Sequence, residues 1–476
     1  MVGDLSVWHV LGVFGYVVGV LTALQALYEV RTPQGTAAWV VFLVSFPWIA
    51  VPAYWIFGRK RFVGYRTPRL SVAQATGSIA ERVRDFFRRQ GIQVDPLKTP
   101  FSKSIEKLIN LPFTNHNRVD LLIDGRACFD GLFADMRAAR EYLLVQYYIF
   151  CADGIGTAFK DILVKKSREG LRCYFLYDEI GTKLPRDFLR EMTDAGVRVE
   201  AFNSTRGAHN RFQLNFRNHR KTVVVDGRLA FTGGLNVADE YMGLDPQLTP
   251  WRDTHVKLQG PVVQGVQLSF QEDWYWACGE RLDLRWEAEP CRDENMVALA
   301  IPSGPADPLE TATLFHLLAV QSAKKRLWIA SPYFAPDEQF VSALQLAALR
   351  GVEIRILIPR RNDGFWNTMV SESYFAELEA VGIRFFWYEN GFMHQKVLLV
   401  DDSHCFVGTA NFDCRSFRLN FEMTVAVVDA DFSRQVEAML QEDFRHGSPA
   451  SSAELARKPW WYRTGVRVCR LFSPIL

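Results

Sequence analysis

A pattern of polar residues that occurs twice, 175 positions apart (394 minus 219), constrains this fold more than any other feature of the sequence. Each copy is a histidine, a lysine two residues later and an aspartate five residues after that: His219, Lys221 and Asp226, then His394, Lys396 and Asp401. In each copy a glycine and an asparagine follow, 14 and 17 residues after the histidine: Gly233 and Asn236, then Gly408 and Asn411. One such H-x-K-x4-D match arises by chance in roughly one chain in fifty. Two with the same downstream residues indicate an internal duplication.

The segments that precede the two copies also repeat. In the first half, the strand-like runs "EYLLVQYYIF" and "LRCYFLYDE" flank the helical stretch "GTAFKDILVKKSREG". In the second half, "KRLWIASPYF" and "VEIRILIPR" flank "DEQFVSALQLAALRG". Near-continuous apolar strands around an amphipathic helix predict βαβ units in a sheet that is covered on both faces. We therefore expect an α/β fold of two pseudo-symmetric lobes, each a mixed β-sheet flanked by helices.

The N-terminus differs sharply from the rest of the chain. Residues 5–28 and 32–58 contain no Asp, Glu, Lys or Arg. Each run is long enough to cross a hydrocarbon layer of about 30 Å as a helix. We predict two transmembrane helices, at about 5–28 and 36–58, with Pro47 and Pro52 kinking the second. A cleaved signal peptide is the alternative for the first run, but a basic segment before it and a convincing cleavage site are missing.

Charges that flank the apolar runs predict the orientation and the domain limits. Arg59, Lys60, Arg61 and Arg66 follow the second run, which places the rest of the chain in the cytoplasm by the positive-inside rule. Eight scattered cysteines without zinc-like spacing agree with reduced, unpaired thiols. The predicted divisions are a transmembrane segment (1–66), a connecting segment (67–117), a first lobe (118–290) and a second lobe (291–476).

The repeated motifs resemble the signature of the phospholipase D superfamily, H-x-K-x4-D-x6-G-[GST]-x-N. The stretches "FRNHRKTVVVDGRLAFTGGLNVADEY", "WRDTHVKLQGPVV" and "NFDCRSFRLNFE" are similar in particular to the bacterial cardiolipin synthases. So are the paired apolar runs and the ending "RLFSPIL". One departure is Gln146, where many relatives carry a glutamate.

The motif residues suit phosphodiester chemistry. Side chains two apart on a strand share a face, so each histidine points in the same direction as its lysine. If the two repeats pack about a pseudo-twofold axis, two lysines match the charge of a phosphodiester and of its five-coordinate transition state. One histidine can attack phosphorus while the other protonates the departing alcohol. No metal ligand set is evident, and no cofactor is expected.

The resemblance implies the reaction. It implies phosphatidyl transfer from one phosphatidylglycerol to another, giving cardiolipin and glycerol through a covalent phospho-histidine intermediate. By this resemblance His219 is the nucleophile and His394 the acid/base, although the pseudo-symmetry allows the reverse. It also implies a multi-pass protein of the bacterial inner (cytoplasmic) membrane whose catalytic domain is cytoplasmic. The expected partners are phospholipids and no nucleic acid, and a homo-oligomer is left open.

Supporting roles are assigned to further polar residues. Asp226 and Asp401 enter turns, so a structural role for them stands level with a catalytic one. Asp253 and Glu422, on the strands that follow, are better candidates to orient the histidines. The other supporting residues could bind phosphate oxygens, cap turns or face the cleft: Asn236, Asn411, Arg415 and Ser416.

Other functions use the same site or none. A phospholipase D-type hydrolase or a transphosphatidylase would take water or phosphatidylethanolamine as acceptor. A membrane-anchored nuclease should show a basic groove with interleaved aromatic residues, against which the net charge of +2 and the apolar runs weigh. An inactive lipid-binding scaffold is disfavoured because both histidines and both lysines are intact.

Overall fold

The computed structural model describes residues 7–29, 32–58, 62, 65, 79–94, 100–202, 215–362 and 364–475. The chain divides into two compact units, residues 1–66 with 203–216 and residues 67–202 with 217–476. The basic cluster on which the predicted orientation depends, Arg59, Lys60, Arg61 and Arg66, lies outside the described residues.

Apolar helices form the first unit. They are α1 (Val7–Glu29), α2 (Pro33–Ser45) and α3 (Pro47–Ala53), followed by a π-helical turn at Tyr54–Gly58. Within α1, residues His9–Glu29 are long and apolar enough to cross a membrane. The second predicted span is interrupted at Phe46, because Pro47 lacks the N–H that would continue α2. One predicted span is therefore a single helix of spanning length, whereas the other consists of shorter pieces.

The apolar helices of this unit pack against one another. Small residues of α1 allow the close approach, since a Cβ at Gly19 would collide with the carbonyl oxygen of Leu43. The buried side chains between the helices are Ala23, Ala26, Leu43, Ala50, Val51 and Tyr54. Small residues at such contacts are typical of helix pairs in membranes, where close backbone approach supplies the packing energy.

The second unit is a mixed α/β structure. Its helices are α4 (Ile79–Gln90), α5 (Pro100–Ile109), α6 (Asp124–Ala138), α7 (Gly154–Arg168), α8 (Arg186–Asp194), α9 (Val263–Cys278), α10 (Thr311–Ser322), α11 (Glu338–Leu349), α12 (Phe365–Glu372), α13 (Phe375–Glu379), α14 (Cys414–Arg418), α15 (Ala430–Arg445), α16 (Ser452–Arg457) and α17 (Trp460–Arg470). Its strands are β1 (Thr114–Ile123), β2 (Tyr142–Tyr147), β3 (Arg172–Asp178), β4 (Arg198–Phe202), β5 (Arg217–Asn218), β6 (Thr222–Val225), β7 (Leu229–Gly233), β8 (Trp251–Arg252), β9 (Thr254–Gln259), β10 (Met296–Ser303), β11 (Arg326–Ala330), β12 (Phe334–Ala335), β13 (Glu353–Pro359), β14 (Arg384–Tyr388), β15 (Phe392–Met393), β16 (Val397–Val400), β17 (His404–Gly408), β18 (Phe412–Asp413), β19 (Asn420–Val428) and β20 (Gly447–Ala450).

A single sheet runs through both predicted lobes. Its order is β20-β14-β13-β11-β16-β17-β19-β10-β1-β9-β7-β6-β2-β3-β4, with β5 attached to β19. Apart from the edge strand β20, the order is symmetric about the antiparallel pair β10–β1, and the strands of each βαβ unit pair in parallel in both halves. The predicted α/β class with two pseudo-symmetric mixed-sheet lobes is confirmed. The structure adds that the two lobes share one sheet.

Helices from the predicted connecting segment enter the core of the second lobe. On α4 and α5 the buried apolar side chains are spaced three to five residues apart, as on one face of a helix. They pack with residues of α10, β11 and α11 in one cluster, and the contributing residues are Val83, Phe87, Phe101, Ile105 and Ile109. The described part of this segment is therefore folded onto the second lobe, in addition to joining it to the N-terminal unit.

Two short strand pairs cross from one lobe to the other. β5 of the first lobe pairs in parallel with β19 of the second, and β15 of the second lobe pairs in parallel with β8 of the first. Each pair lies immediately before a motif histidine. This reciprocal exchange positions the site described below.

Candidate active site

The two motif histidines line one cleft of about 570 Å³ between the lobes. His219 follows β5, and its backbone N–H donates to the carbonyl oxygen of Phe421 at 2.9 Å. His394 follows β15, and its N–H donates to the carbonyl oxygen of Arg252 at 2.8 Å. The strand exchange therefore holds His219 against β19 and His394 against β8, in each case a strand of the opposite lobe.

Each imidazole is bonded to a buried carboxylate from the other lobe. Nδ1 of His219 lies 3.0 Å from both carboxylate oxygens of Glu422. Nδ1 of His394 lies 2.9 Å from Oδ2 of Asp253. A carboxylate can only accept, so Nδ1 carries the proton and Nε2 is the unprotonated nitrogen of the neutral ring. The structure therefore places both predicted carboxylates against motif histidines, and it pairs each of them with the histidine of the opposite lobe.

The residues around the carboxylates explain part of the downstream motif. Glu422 accepts hydrogen bonds from the hydroxyl of Thr409 and, at 3.1 Å, from Nδ2 of Asn420. Gly234, the residue equivalent to Thr409, abuts the carboxylate of Asp253, where any Cβ would collide. The position after the motif glycine must therefore be small, or must itself donate to the carboxylate.

Both motif lysines are buried beside the histidines. Nζ of Lys221 donates to the carbonyl oxygen of His219 at 2.8 Å, and Lys396 bonds the carbonyl oxygen of His394 in the same way. Burial, opposed by Glu422 and assisted by Lys396, lowers the pKa of Lys221 to about 7. Two ammonium groups close enough to repel each other form a site that an anion would stabilise.

Burial in the cleft favours neutral histidines. Burial lowers the pKa of His219 to about 4, and both lysines lower it against the opposing effect of Glu422. Burial and Lys396 lower the pKa of His394 to about 3, against Asp253. Burial would raise the pKa values of Asp253 and Glu422, but their histidine partners and the lysines hold both below their usual values. At neutral pH the pairs are therefore neutral imidazoles on ionised carboxylates.

We expect the folded chain to lose stability as the pH falls from about 6.5 to 4. Four buried histidines have pKa values of about 3 to 4 in the folded chain: His219, His255, His316 and His394. In the unfolded chain a histidine takes up its proton near the unperturbed pKa of about 6.5. Because the unfolded state then binds more protons, each histidine lowers the free energy of unfolding by on the order of 1 kcal/mol at pH 5. Thermal unfolding of the purified chain at pH 7.5 and 5 measures this as a loss of several degrees. The exposed His446 provides the control, since His446→Gln should leave this pH dependence unchanged. A midpoint that rises on acidification would contradict the assignment of neutral buried histidines.

The motif aspartates lie at the other end of the strands that begin beside the lysines, outside the cleft lining. Asp226 adopts a left-handed backbone conformation (φ 55°), which aspartate tolerates. Its carboxylate accepts three backbone N–H groups at 2.7–2.9 Å, those of Arg140, Glu141 and Tyr142. Asp401 (φ 53°) accepts the equivalent N–H groups before β11, from Lys324, Lys325 and Arg326. Of the two interpretations of these aspartates, this geometry supports the structural one, as clamps on the neighbouring strand.

Replacing Asp226 by alanine should therefore lower stability more than activity. The change leaves three backbone N–H groups without their acceptor, which costs about 1–3 kcal/mol. We expect a lower thermal midpoint, and a kcat within a few-fold of the original for the protein that remains folded. Asp431→Ala, at an exposed ion pair, is the matched control. A large loss of kcat with an unchanged midpoint would show that Asp226 acts in catalysis.

The other predicted supporting residues divide into two groups. Asn236 and Asn411 line the cleft, as does Arg415. Asn236 also braces the fold, because Oδ1 accepts from the N–H of Ile149 at 3.1 Å and Nδ2 donates to the Tyr241 hydroxyl at 2.7 Å. Ser416 lies outside the lining; its hydroxyl accepts from the N–H of Asn411 at 3.1 Å and so positions that loop.

Sequence reasoning missed several side chains of the cleft wall, because none of them is a residue of the repeated motif itself. They are Tyr148, Arg217, Glu240, Tyr241, Trp251, Tyr333 and Phe392. Two residues before each histidine and four after each motif asparagine, the two copies of the motif carry different residues. This comparison of the copies would have revealed Arg217, Phe392 and Glu240. No group of three or more metal-ligating side chains occurs within the described ranges.

Gln146 has a defined place beneath the site. Its Nε2 donates to the buried carboxylate of Asp273 at 2.6 Å, which also accepts from Asn218 at 2.9 Å and from the guanidinium of Arg220 at 2.6 Å. A glutamate here would add a second carboxylate against Asp273. The amide instead completes a hydrogen-bonded network under β5, the strand that leads into His219.

The duplicated fold and the paired histidine–lysine site define a phospholipase D-type protein. The model of the family described as "Cardiolipin synthase, PLD-like domain" matches residues 132–274 and 317–444, and "Phospholipase_D-nuclease N-terminal" matches residues 8–59. The chain belongs to the cardiolipin synthase family.

Relatives agree over nearly the whole length. Cardiolipin synthase A of Pseudomonas putida strain F1 is 44% identical over 97% of this chain and 98% of its own. The protein of that name from Pseudomonas fluorescens strain Pf-5 is 41% identical over 98% of each chain. Among solved structures, the phosphatidylserine synthase of Haemophilus influenzae Rd KW20 superposes with a TM-score of 0.61 at 14% identity, over 79% of this chain and 100% of that one. This last similarity concerns the fold alone.

Proposed function

We propose that this chain is a phosphatidyltransferase that converts two phosphatidylglycerol molecules into cardiolipin and glycerol. The observation that carries the proposal is the cleft in which two histidines are each bonded to a carboxylate of the opposite lobe, beside two buried lysines. Relatives that are 41–44% identical over nearly their whole length are named cardiolipin synthase A.

In the first half-reaction His219 attacks phosphorus. The lone pair of Nε2 forms a P–N bond, and the P–O bond to the glycerol headgroup breaks. His394 gives its Nε2 proton to the departing glycerol oxygen. The phosphodiester anion favours the charged imidazole and so offsets the burial that disfavours protonation of His394. Glu422 stabilises the positive charge that develops on His219.

In the second half-reaction a proton returns to His394. Neutral His394 takes the proton of a primary hydroxyl on a second phosphatidylglycerol, and that oxygen attacks phosphorus. The P–N bond breaks, cardiolipin forms and His219 is again neutral. In both steps Lys221 and Lys396 offset the charge on the phosphoryl oxygens, at a site where burial strengthens the attraction.

The proposed location follows from the N-terminal unit. The apolar helix α1 anchors the chain, and the second apolar segment is proposed to complete a multi-pass anchor in the bacterial inner membrane. The cytoplasmic placement of the larger unit is supported by the basic residues after position 58 and by eight free cysteines. Phospholipids are the proposed partners, and no oligomeric state is proposed.

The purified full-length chain in detergent micelles, with phosphatidylglycerol as the only phospholipid, tests the proposal. We expect cardiolipin and glycerol in equal amounts by mass spectrometry, and none from a His219→Ala/His394→Ala double variant. Phosphatidic acid as the main product would assign a hydrolase instead. In a second arm with added phosphatidylethanolamine, transfer to that lipid alone would assign a different acceptor.

A further inference from the structure

The pseudo-twofold symmetry of the cleft is broken at three pairs of equivalent positions. These positions lie two residues before each histidine, two before each orienting carboxylate, and four after each motif asparagine. The pairs are Arg217 and Phe392, Asn420 and Trp251, and Arg415 and Glu240. All six residues line the cleft, so the two ends of one cavity differ in chemistry.

The end beside His394 is aromatic and acidic. The His394 ring stacks on Phe392 with centroids 6.0 Å apart, and its centroid lies 5.4 Å from that of Trp251 and 6.2 Å from that of Tyr241. Glu240 lines the cleft next to Tyr241, whose hydroxyl accepts from Nδ2 of Asn236 at 2.7 Å. A carboxylate is thus held at the edge of an aromatic wall.

The end beside His219 is cationic. Tyr148 packs edge-on against the His219 ring with centroids 4.9 Å apart, and Arg217 lines the same cleft. Burial lowers the pKa of Arg415 and so does Arg217, which shows that the two guanidinium groups lie within electrostatic range of each other. Neighbouring cations suit phosphoryl oxygens and offer little to a neutral alcohol.

We propose that the His394 end of the cleft is a glycerol headgroup subsite, formed by Phe392, Trp251, Tyr241 and Glu240. The C–H faces of the polyol lie on the aromatic rings, and its hydroxyls donate to the Glu240 carboxylate. The subsite rests on the proposed function, and it places the leaving glycerol beside the histidine that protonates it. The nucleophile His219 then lies on the opposite side of phosphorus, as an in-line displacement requires.

The subsite also gives a reason for transfer over hydrolysis. When the first glycerol has left, the same rings and carboxylate hold the glycerol headgroup of the second lipid with its hydroxyl near His394. Water gains nothing from these contacts. Positioning of this kind raises the rate for the matched acceptor by orientation, because the reacting hydroxyl need not be captured from solution.

Glu240→Gln tests the subsite in the full-length enzyme, in micelles containing phosphatidylglycerol. The amide keeps the size of the side chain but loses the charged acceptor. We expect the ratio of cardiolipin to phosphatidic acid to fall at least fivefold, and the KM for labelled glycerol in headgroup exchange to rise. Arg415→Gln, at the pseudo-symmetric position, is the matched control. It should slow both products and leave their ratio unchanged.

The results of these variants can contradict the subsite or the proposed function. An unchanged ratio in Glu240→Gln, or an equal shift in Arg415→Gln, would overturn the subsite. If Glu240→Gln lowers only the transfer onto added phosphatidylethanolamine, the subsite binds an ammonium group and the proposed polyol ligand is wrong. Phe392→Leu repeats the test if Glu240→Gln lowers the thermal midpoint, and an unchanged ratio there counts against the subsite. If the unsubstituted chain makes no cardiolipin, the proposed function is contradicted, and this result is distinct from a failure of the subsite alone.

Discussion

Replacement of His219 by alanine is expected to abolish cardiolipin formation, lowering kcat by about 10⁴-fold or more. In the proposed mechanism the imidazole is the group that forms the covalent bond to phosphorus. His394→Ala should cost a similar factor with phosphatidylglycerol, because the glycerol oxygen then leaves without a proton. Product formation by the purified variants, measured by mass spectrometry, tests both expectations.

A substrate with a good leaving group separates the two histidines. A phosphatidyl diester of p-nitrophenol needs no proton donor, so His394→Ala should still release one burst of p-nitrophenol and accumulate a phosphatidyl adduct on His219. His219→Ala should give neither the burst nor the adduct. The exchange of these two results would reverse the roles, and a burst in both variants would contradict a phospho-histidine mechanism.

Asp253→Asn and Glu422→Gln are expected to lower kcat by about 10²- to 10⁴-fold with little change in KM. Each buried carboxylate holds Nδ1–H and stabilises the imidazolium that forms during the reaction; a neutral amide does neither reliably. Purified variants assayed on phosphatidylglycerol provide the measurement. Asp120→Asn, at an exposed ion pair, is the matched control and should behave as the unsubstituted chain.

The pH dependence distinguishes positioning from damage to the fold. Asp253 raises the pKa of His394, so Asp253→Asn should weaken proton uptake by His394 and move the pH profile of kcat/KM toward lower pH. Glu422→Gln should do the same for His219, whose pKa Glu422 raises. Variants with low activity, lowered thermal midpoints and unshifted profiles would show that the carboxylates matter only for folding.

Periodicity and spacing were sufficient for much of the fold and for the main site residues. Apolar runs around helical segments predicted the βαβ units, and equal spacing of the two motif copies predicted that His219 and His394 act together. Position relative to the motif also identified Asp253 and Glu422. These features could be predicted because they depend on local alternation and on a duplication, both of which are visible along one chain.

Features that depend on contacts between distant parts of the chain could not be predicted from spacing. Spacing alone left Asp226 and Asp401 level between catalysis and structure, and the structure shows their carboxylates clamping backbone N–H groups more than 70 residues away. Proline at position 47 was expected to kink a single span, yet the helix ends and begins again there. The second apolar run is therefore not one continuous helix.

The sequence by itself determined the duplication, the α/β class, the apolar N-terminal segment and which side chains are proposed to react. Only the tertiary structure decided that each histidine receives its carboxylate from the opposite lobe, through the exchange of β5 and β15. Only it showed that the two ends of the cleft differ, with Arg217 on one side and Phe392 on the other. The physical reason is that local periodicity specifies which face of a strand is buried. The partner across that face depends on how the two lobes close on each other.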